Sequence, residues 1–126
     1  KIEGEPRVGH SINLTLSDPL NPGFAYLAAM SLSNTTGILL NDGRKIPLDY
    51  DGLFQVSLFY PNVIGLNNTQ NRLDEEGESI ATWDIPNIPA LAGYKVYIGF
   101  ITLNPSKPMP KLVNTISEVQ EITLLP

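Results

Sequence analysis

The sequence predicts an all-β fold, an antiparallel β-sandwich of about seven or eight short strands. Three observations carry this. Its 126 residues include 10 glycines and 11 prolines, punctuation about every six positions, which favours short strands over long helices. Several runs alternate apolar and polar residues with a period of two, the mark of a half-buried strand. Between the two strongest β-forming runs lies a proline-bearing connector, Pro86–Gly93, too long for a tight hairpin and suited to a chain that crosses from one sheet to another.

Taken in order, Lys1–Pro6 is a polar lead-in or edge segment. Val8, Ile12, Leu14 and Leu16 then fall in phase, with Ser11, Asn13 and Thr15 between them, and Asp18-Pro19 ends this first strand. Asn21-Pro-Gly-Phe24 has the type II turn preference, proline second and glycine third. Phe24–Leu32 alternates again, with a second face that is small and partly apolar, and Ser33–Gly37 reads as loop. Ile38–Leu40 and Lys45–Leu48 flank Asn41-Asp-Gly-Arg44, whose Asp42-Gly43 pair accepts the positive φ angles of a type I′ hairpin. After the break at Asp49–Gly52, Leu53, Val56, Phe59 and Tyr60 have helical spacing, but the alternation of Phe54, Val56, Leu58 and Tyr60 favours a strand.

Pro61–Gly77 is the longest polar tract and reads as a long hairpin or loop anchored by Val63, Ile64 and Leu73. Ser79–Ile85 and Tyr94–Leu103 are rich in β-branched and aromatic residues, which suit a pleated, half-buried surface. Pro86 and Pro89 keep the piece between them out of any central strand, because neither has an amide proton for a ladder. Trp83 is the natural core plug. Pro105–Pro110 is an exposed polyproline-like connector, and Leu112, Ile116, Val119, Ile122 and Leu124 populate the closing strands. No internal repeat or composition shift divides the chain, so residues 1–126 read as one domain.

The formal charge of −5 argues against nucleic acid or an anionic membrane as partner, since both need a cationic footprint. With no cysteine there is no disulfide, thiolate metal site or cysteine nucleophile. No apolar run is long enough to span a bilayer as a helix. The chain opens on Lys1, with no signal peptide and no initiator methionine, which is expected of a processed, excised or trimmed product.

Catalytic residues are not expected. The only histidine, His10, sits near the start of the first strand, in phase with Val8 and Ile12, and reads as structural. There is no phosphate loop and no zinc spacing. The carboxylate pairs Asp49/Asp51 and Glu75/Glu76 sit in punctuated loops without an aromatic cleft signature, so glycosidase chemistry is rejected. Calcium is the stronger candidate as a bound ion. Asp49 and Asp51 present hard oxygen donors two positions apart with Asp42 upstream, and Glu75, Glu76 and Glu78 form a second acidic group. Asn34 and Asn67 head N-glycosylation sequons in loops, whereas a third, at Asn13, lies mid-strand. Tyr50, Phe59, Tyr60 and Tyr94 lie near strand ends, where stacked rings could bind a glycan; the plainer expectation is that most aromatics fill the core.

Leu91-Ala-Gly-Tyr-Lys-Val-Tyr97 resembles the entry to the late core strand of fibronectin-III-like domains, where Tyr97 would be the corner tyrosine, buried with its hydroxyl on backbone. More widely, Gly9–Leu16, Pro22–Tyr26, Gly37–Leu40, Ile46–Asp49, Leu73–Gly77 and Ile85–Gly93 resemble in order the segments of an immunoglobulin/fibronectin-like module of secreted bacterial proteins. The resemblance implies a cell-surface or extracellular setting, and a role in assembly or adhesion rather than catalysis. One expected form is a filament subunit in which Lys1–Leu16 pairs with a neighbour's sheet edge. The alternative is a non-catalytic accessory domain that binds glycan or calcium.

Overall fold

A computed structural model describes all residues from Lys1 to Pro126. The first half holds strands β1 (Ile2–Glu3), β2 (Ser11–Ser17), β3 (Ala25–Ser31), β4 (Ile38–Leu39) and β5 (Lys45–Ile46), then helix α1 (Gly52–Phe59). The second half holds β6 (Leu66–Asn67), β7 (Gln70–Arg72), β8 (Glu78–Asp84), β9 (Lys95–Leu103), β10 (Val113–Ile116) and β11 (Gln120–Thr123). One sheet runs β1-β2-β8-β6; the other runs β10-β9-β3-β7, with β11 continuing along β9 where β10 stops. All strand pairings are antiparallel, as expected for a sandwich.

The core lies between these sheets. From β2 it takes Ile12, Leu14 and Leu16, from β3 Tyr26, Ala28 and Met30, from β8 Ala81 and Trp83, and from β9 Val96 and Ile98. The period of two read from the sequence is the alternation of these inward residues with outward ones. Trp83 is 4% exposed, and its indole N–H donates to the Ile64 carbonyl at 2.9 Å. Pro86–Gly93 crosses from β8 in one sheet to β9 in the other through a short 3₁₀ turn, Pro89–Leu91.

Three expectations need correction. The segment expected as a strand from Leu53 to Tyr60 is helix α1. Asp51 is its N-cap, accepting from the Phe54 amide at 2.9 Å. The helix also completes a sheet edge. β7 pairs only with Ala25–Leu27, so the rest of that side of β3 needs other acceptors. Asp51 Oδ2 accepts from Leu32 N–H at 2.8 Å and the buried Ser57 Oγ from Met30 N–H at 2.9 Å. A strand at 53–60 would remove the cap and both acceptors from where β3 needs them.

Tyr97 is not a buried corner tyrosine. Val96 and Ile98 occupy the inward phase, so Tyr97 points to the opposite face of β9 and packs beside Ala29, Leu48 and Phe54, its hydroxyl 3.3 Å from Glu121 Oε1. The buried tyrosine is Tyr26, 1% exposed, whose hydroxyl donates to the Asn68 carbonyl at 2.7 Å and lies 2.9 Å from Ser79 Oγ. Burial raises its pKa, and the Ser79 hydrogen bond lowers it in part.

The terminal segment is ordered by its own chain. Ile2 and Glu3 pair with Leu14 and Asn13, and Val8 donates to Leu125, so order at Lys1–Glu3 requires no neighbour. The sheets end at two-residue β1 and β6, at three-residue β7, and at the four-residue strands β10 and β11, which lie end to end along β9.

Candidate functional site

The outer face of the β10-β9-β3-β7 sheet is covered by α1 and the β4–β5 hairpin, and that cover rests on two anchors. Asp49 gathers the loop before the hairpin: its carboxylate accepts from Thr36 and Gly37 N–H at 2.8 Å each, from Thr35 N–H at 3.2 Å and from the Ser33 hydroxyl. The Gly37 amide, then the Ser33 hydroxyl, hold this carboxyl well below the usual carboxylate range. Gly37 has φ +77°, and a Cβ there would come within 2.5 Å of the Lys45 side chain, so the turn needs glycine. The second anchor is Arg44 at the hairpin tip. It pairs with Asp42 at 2.8 Å and donates to the carbonyls of Pro110, Val113 and Asn114 at 3.2, 2.6 and 2.9 Å.

Between cover and sheet lies an apolar cleft of about 270 Å³. Its floor is Leu27 and Ala29 of β3 with Gly99 and Ile101 of β9. Ile38, Leu40, Ile46 and Leu48 form the hairpin wall, Phe54 and Leu58 the helix wall. Met109, Val113, Ile116 and Val119 close the far side. Fifteen of its eighteen lining residues are hydrophobic and none is charged. Its one hydroxyl outside the rim, Ser117 Oγ, accepts from Phe100 N–H at 2.8 Å and donates to the Glu118 carbonyl at 2.9 Å, so it has nothing to offer a guest. Tyr50 and Met109 stand on the rim, 64% and 58% exposed. Such a site holds water poorly and receives apolar groups well.

The sequence-predicted residues fare differently. Asp49 and Asp51 do not converge on a common point: Asp49 serves the Ser33–Gly37 loop, and Asp51 serves α1 and Leu32. Backbone N–H groups surround both carboxylates, and that donor-lined environment opposes a cation. No group of three acidic or imidazole side chains gathers around either carboxylate. Glu75 and Glu76 are exposed at the turn closed by Asp74, which accepts from Glu76 and Glu78 N–H at 2.8 and 2.9 Å. His10 is exposed. Asn34 and Asn67 are both exposed, but the Asn67 amide reaches Asp84 at 3.3 Å and its sequon threonine, Thr69, is buried.

Tyr50, Phe59, Tyr60 and Tyr94 are exposed rather than in the core, against the plainer expectation. Of these, Tyr50 lines the apolar cleft, which lacks the polar groups a sugar would need. The cleft itself was foreshadowed by one signal, the small and apolar second face of Phe24–Leu32. No local pattern marks its other walls, which come from four separate segments. No family model matches this chain, and no curated protein matches it either.

Proposed function

We propose that this chain is a non-catalytic binding module whose sandwich supports an apolar cleft for an uncharged hydrophobic group. One observation carries the reading: the cleft over the outer sheet presents about 270 Å³ of space walled by hydrophobic side chains, and its one hydroxyl inside the rim is already hydrogen-bonded on both sides. A hydrolase or transferase site needs positioned acids, bases or nucleophiles, and none lines this one. Of the two functions expected from sequence, the accessory-domain reading is therefore preferred, with an apolar guest in place of glycan or calcium. Assembly through the N-terminal segment is not favoured, because that segment pairs with β2 of its own chain. The strand order, β1-β2-β8-β6 against β10-β9-β3-β7, supports the immunoglobulin/fibronectin-like reading; the extracellular, bacterial setting rests on the sequence resemblance alone.

A neutral fluorescent probe, N-phenyl-1-naphthylamine, tests the proposal. It should bind with saturable, blue-shifted emission at one site per chain. Ile101→Phe, which fills the cleft floor, should weaken binding at least tenfold without changing the circular dichroism. Met109→Gln at the exposed rim should weaken it less and cannot disturb the core. No saturable emission, or equal emission from Ile101→Phe and the parent chain, would overturn the reading.

A further inference from the structure

Beside the cleft lies a second, polar concavity formed by Asp42, Arg44, Lys107, Lys111, Val113 and Asn114. Val113 lines both. The chain carries only 8 lysines and arginines against 13 acidic residues, yet three of those eight bases meet here. Arg44 is neutralised by Asp42. Lys107 and Lys111 take part in none of the chain's ion pairs, so the notch keeps two uncompensated positive charges on a chain whose net charge is −5. An apolar cleft that opens beside an unpaired cationic notch is complementary to one kind of molecule.

We infer that the site takes a single-chain amphiphilic anion, with its hydrocarbon tail in the cleft and its anionic head at Lys107 and Lys111. This rests on the binding reading above and adds the charge and shape of the guest. The cleft is nearly twice the ~150 Å³ apolar cavity that admits benzene, which sets the tail at about ten carbons. The head remains in water, where the ammonium groups attract it through a partly screened interaction. Arg44 is a positioning residue: by holding the carbonyls of Pro110, Val113 and Asn114, it fixes the segment from which Lys107 and Lys111 project. The guest is a dispersed monomer and not a membrane, because the net charge of −5 repels an anionic bilayer as a whole.

Competition against the neutral probe, with calorimetry alongside, decides this. At low salt, decanoate should compete at concentrations about fivefold lower than 1-decanol, the gain expected of two exposed charge contacts. Decyltrimethylammonium should be the weakest of the three. Lys107→Gln/Lys111→Gln, two exposed positions, should abolish the preference for decanoate while leaving affinity for the neutral probe unchanged, and high salt should do the same to the parent chain. Decanol equal to decanoate, with the probe still bound, would overturn the anion and leave the apolar cleft standing. A preference for the cation would have the same consequence. No probe binding and no heat with decanoate would remove both readings. Vesicles containing oleate should leave the protein in the supernatant; co-sedimentation that monomeric decanoate does not compete away would make the partner a lipid surface and overturn the monomer proposal.

Discussion

Trp83 lies at the centre of the sandwich, in register with Ile12 on one side and Leu66 on the other. Replacing it by alanine removes an aromatic side chain of the kind that buries about 150–250 Å². At about 25 cal/mol per Å² that corresponds to about 4–6 kcal/mol, an upper estimate because unfolded chains already bury some apolar surface. Measured aromatic-to-alanine changes in cores cost about 3–5 kcal/mol, so the expected loss is about 4 kcal/mol. Trp83→Phe separates the contributions. It keeps most of the ring but abandons the indole donor to Ile64, and should cost about 1–3 kcal/mol. Urea denaturation followed by far-ultraviolet circular dichroism is the assay, since Trp83 is the only tryptophan and its fluorescence disappears with it. The slope against urea should be unchanged and the midpoint lower. A cost below about 1 kcal/mol for alanine would refute the placement of Trp83 in the core.

Asp49→Asn puts an amide donor among backbone donors, so hydrogen exchange at Thr36 and Gly37 should accelerate while β2 and β8 stay protected. The Asp49 carboxyl lies below its ordinary range in the fold; its stabilisation is therefore present above pH about 4 and lost as pH falls further, and the variant should show a flatter acid limb in thermal melts. Tyr26 has the opposite sign. Its pKa is raised, so the unfolded chain releases the proton first and stability should fall above pH about 10, less so in Tyr26→Phe. Deleting Lys1–Gly4 strips β1 from Asn13 and Leu14 and joins the uncovered parts of β2 into one continuous edge, so sedimentation velocity should show more self-association than in the full chain, not less.

The inter-sheet core was readable because its signal is local. Leu14 and Leu16 in β2, or Ala81 and Trp83 in β8, declare the buried face by alternation alone. Helix α1 is not legible in sequence because both periods fit Leu53–Tyr60, and its deciding partners lie outside that run. Asp51 is the N-cap, and the free amides of Leu32 and Met30, 19 and 27 residues away in the chain, are the ones that Asp51 and Ser57 must meet. Tyr97 shows the limit of a spacing motif: a shift of one position exchanges the two faces of a strand, and Val96 and Ile98 hold the inward phase. The cleft was least legible. Leu27, Ile46, Ile101 and Ile116 are far apart in sequence, and each alone reads as an ordinary strand residue. Lys107 and Lys111 gain meaning only once Arg44 fastens the hairpin tip across their segment.

Methyl spectra of isotope-labelled isoleucine, leucine and valine, recorded during a decanoate titration, locate the guest directly. Ile38, Ile46, Ile101, Val113 and Ile116 should shift together and saturate at one molecule per chain, while Ile12, Leu66 and Ile122 between the sheets stay fixed. Shifts confined to the inter-sheet core, or scattered over the surface without saturation, would contradict a binding module built on this cleft.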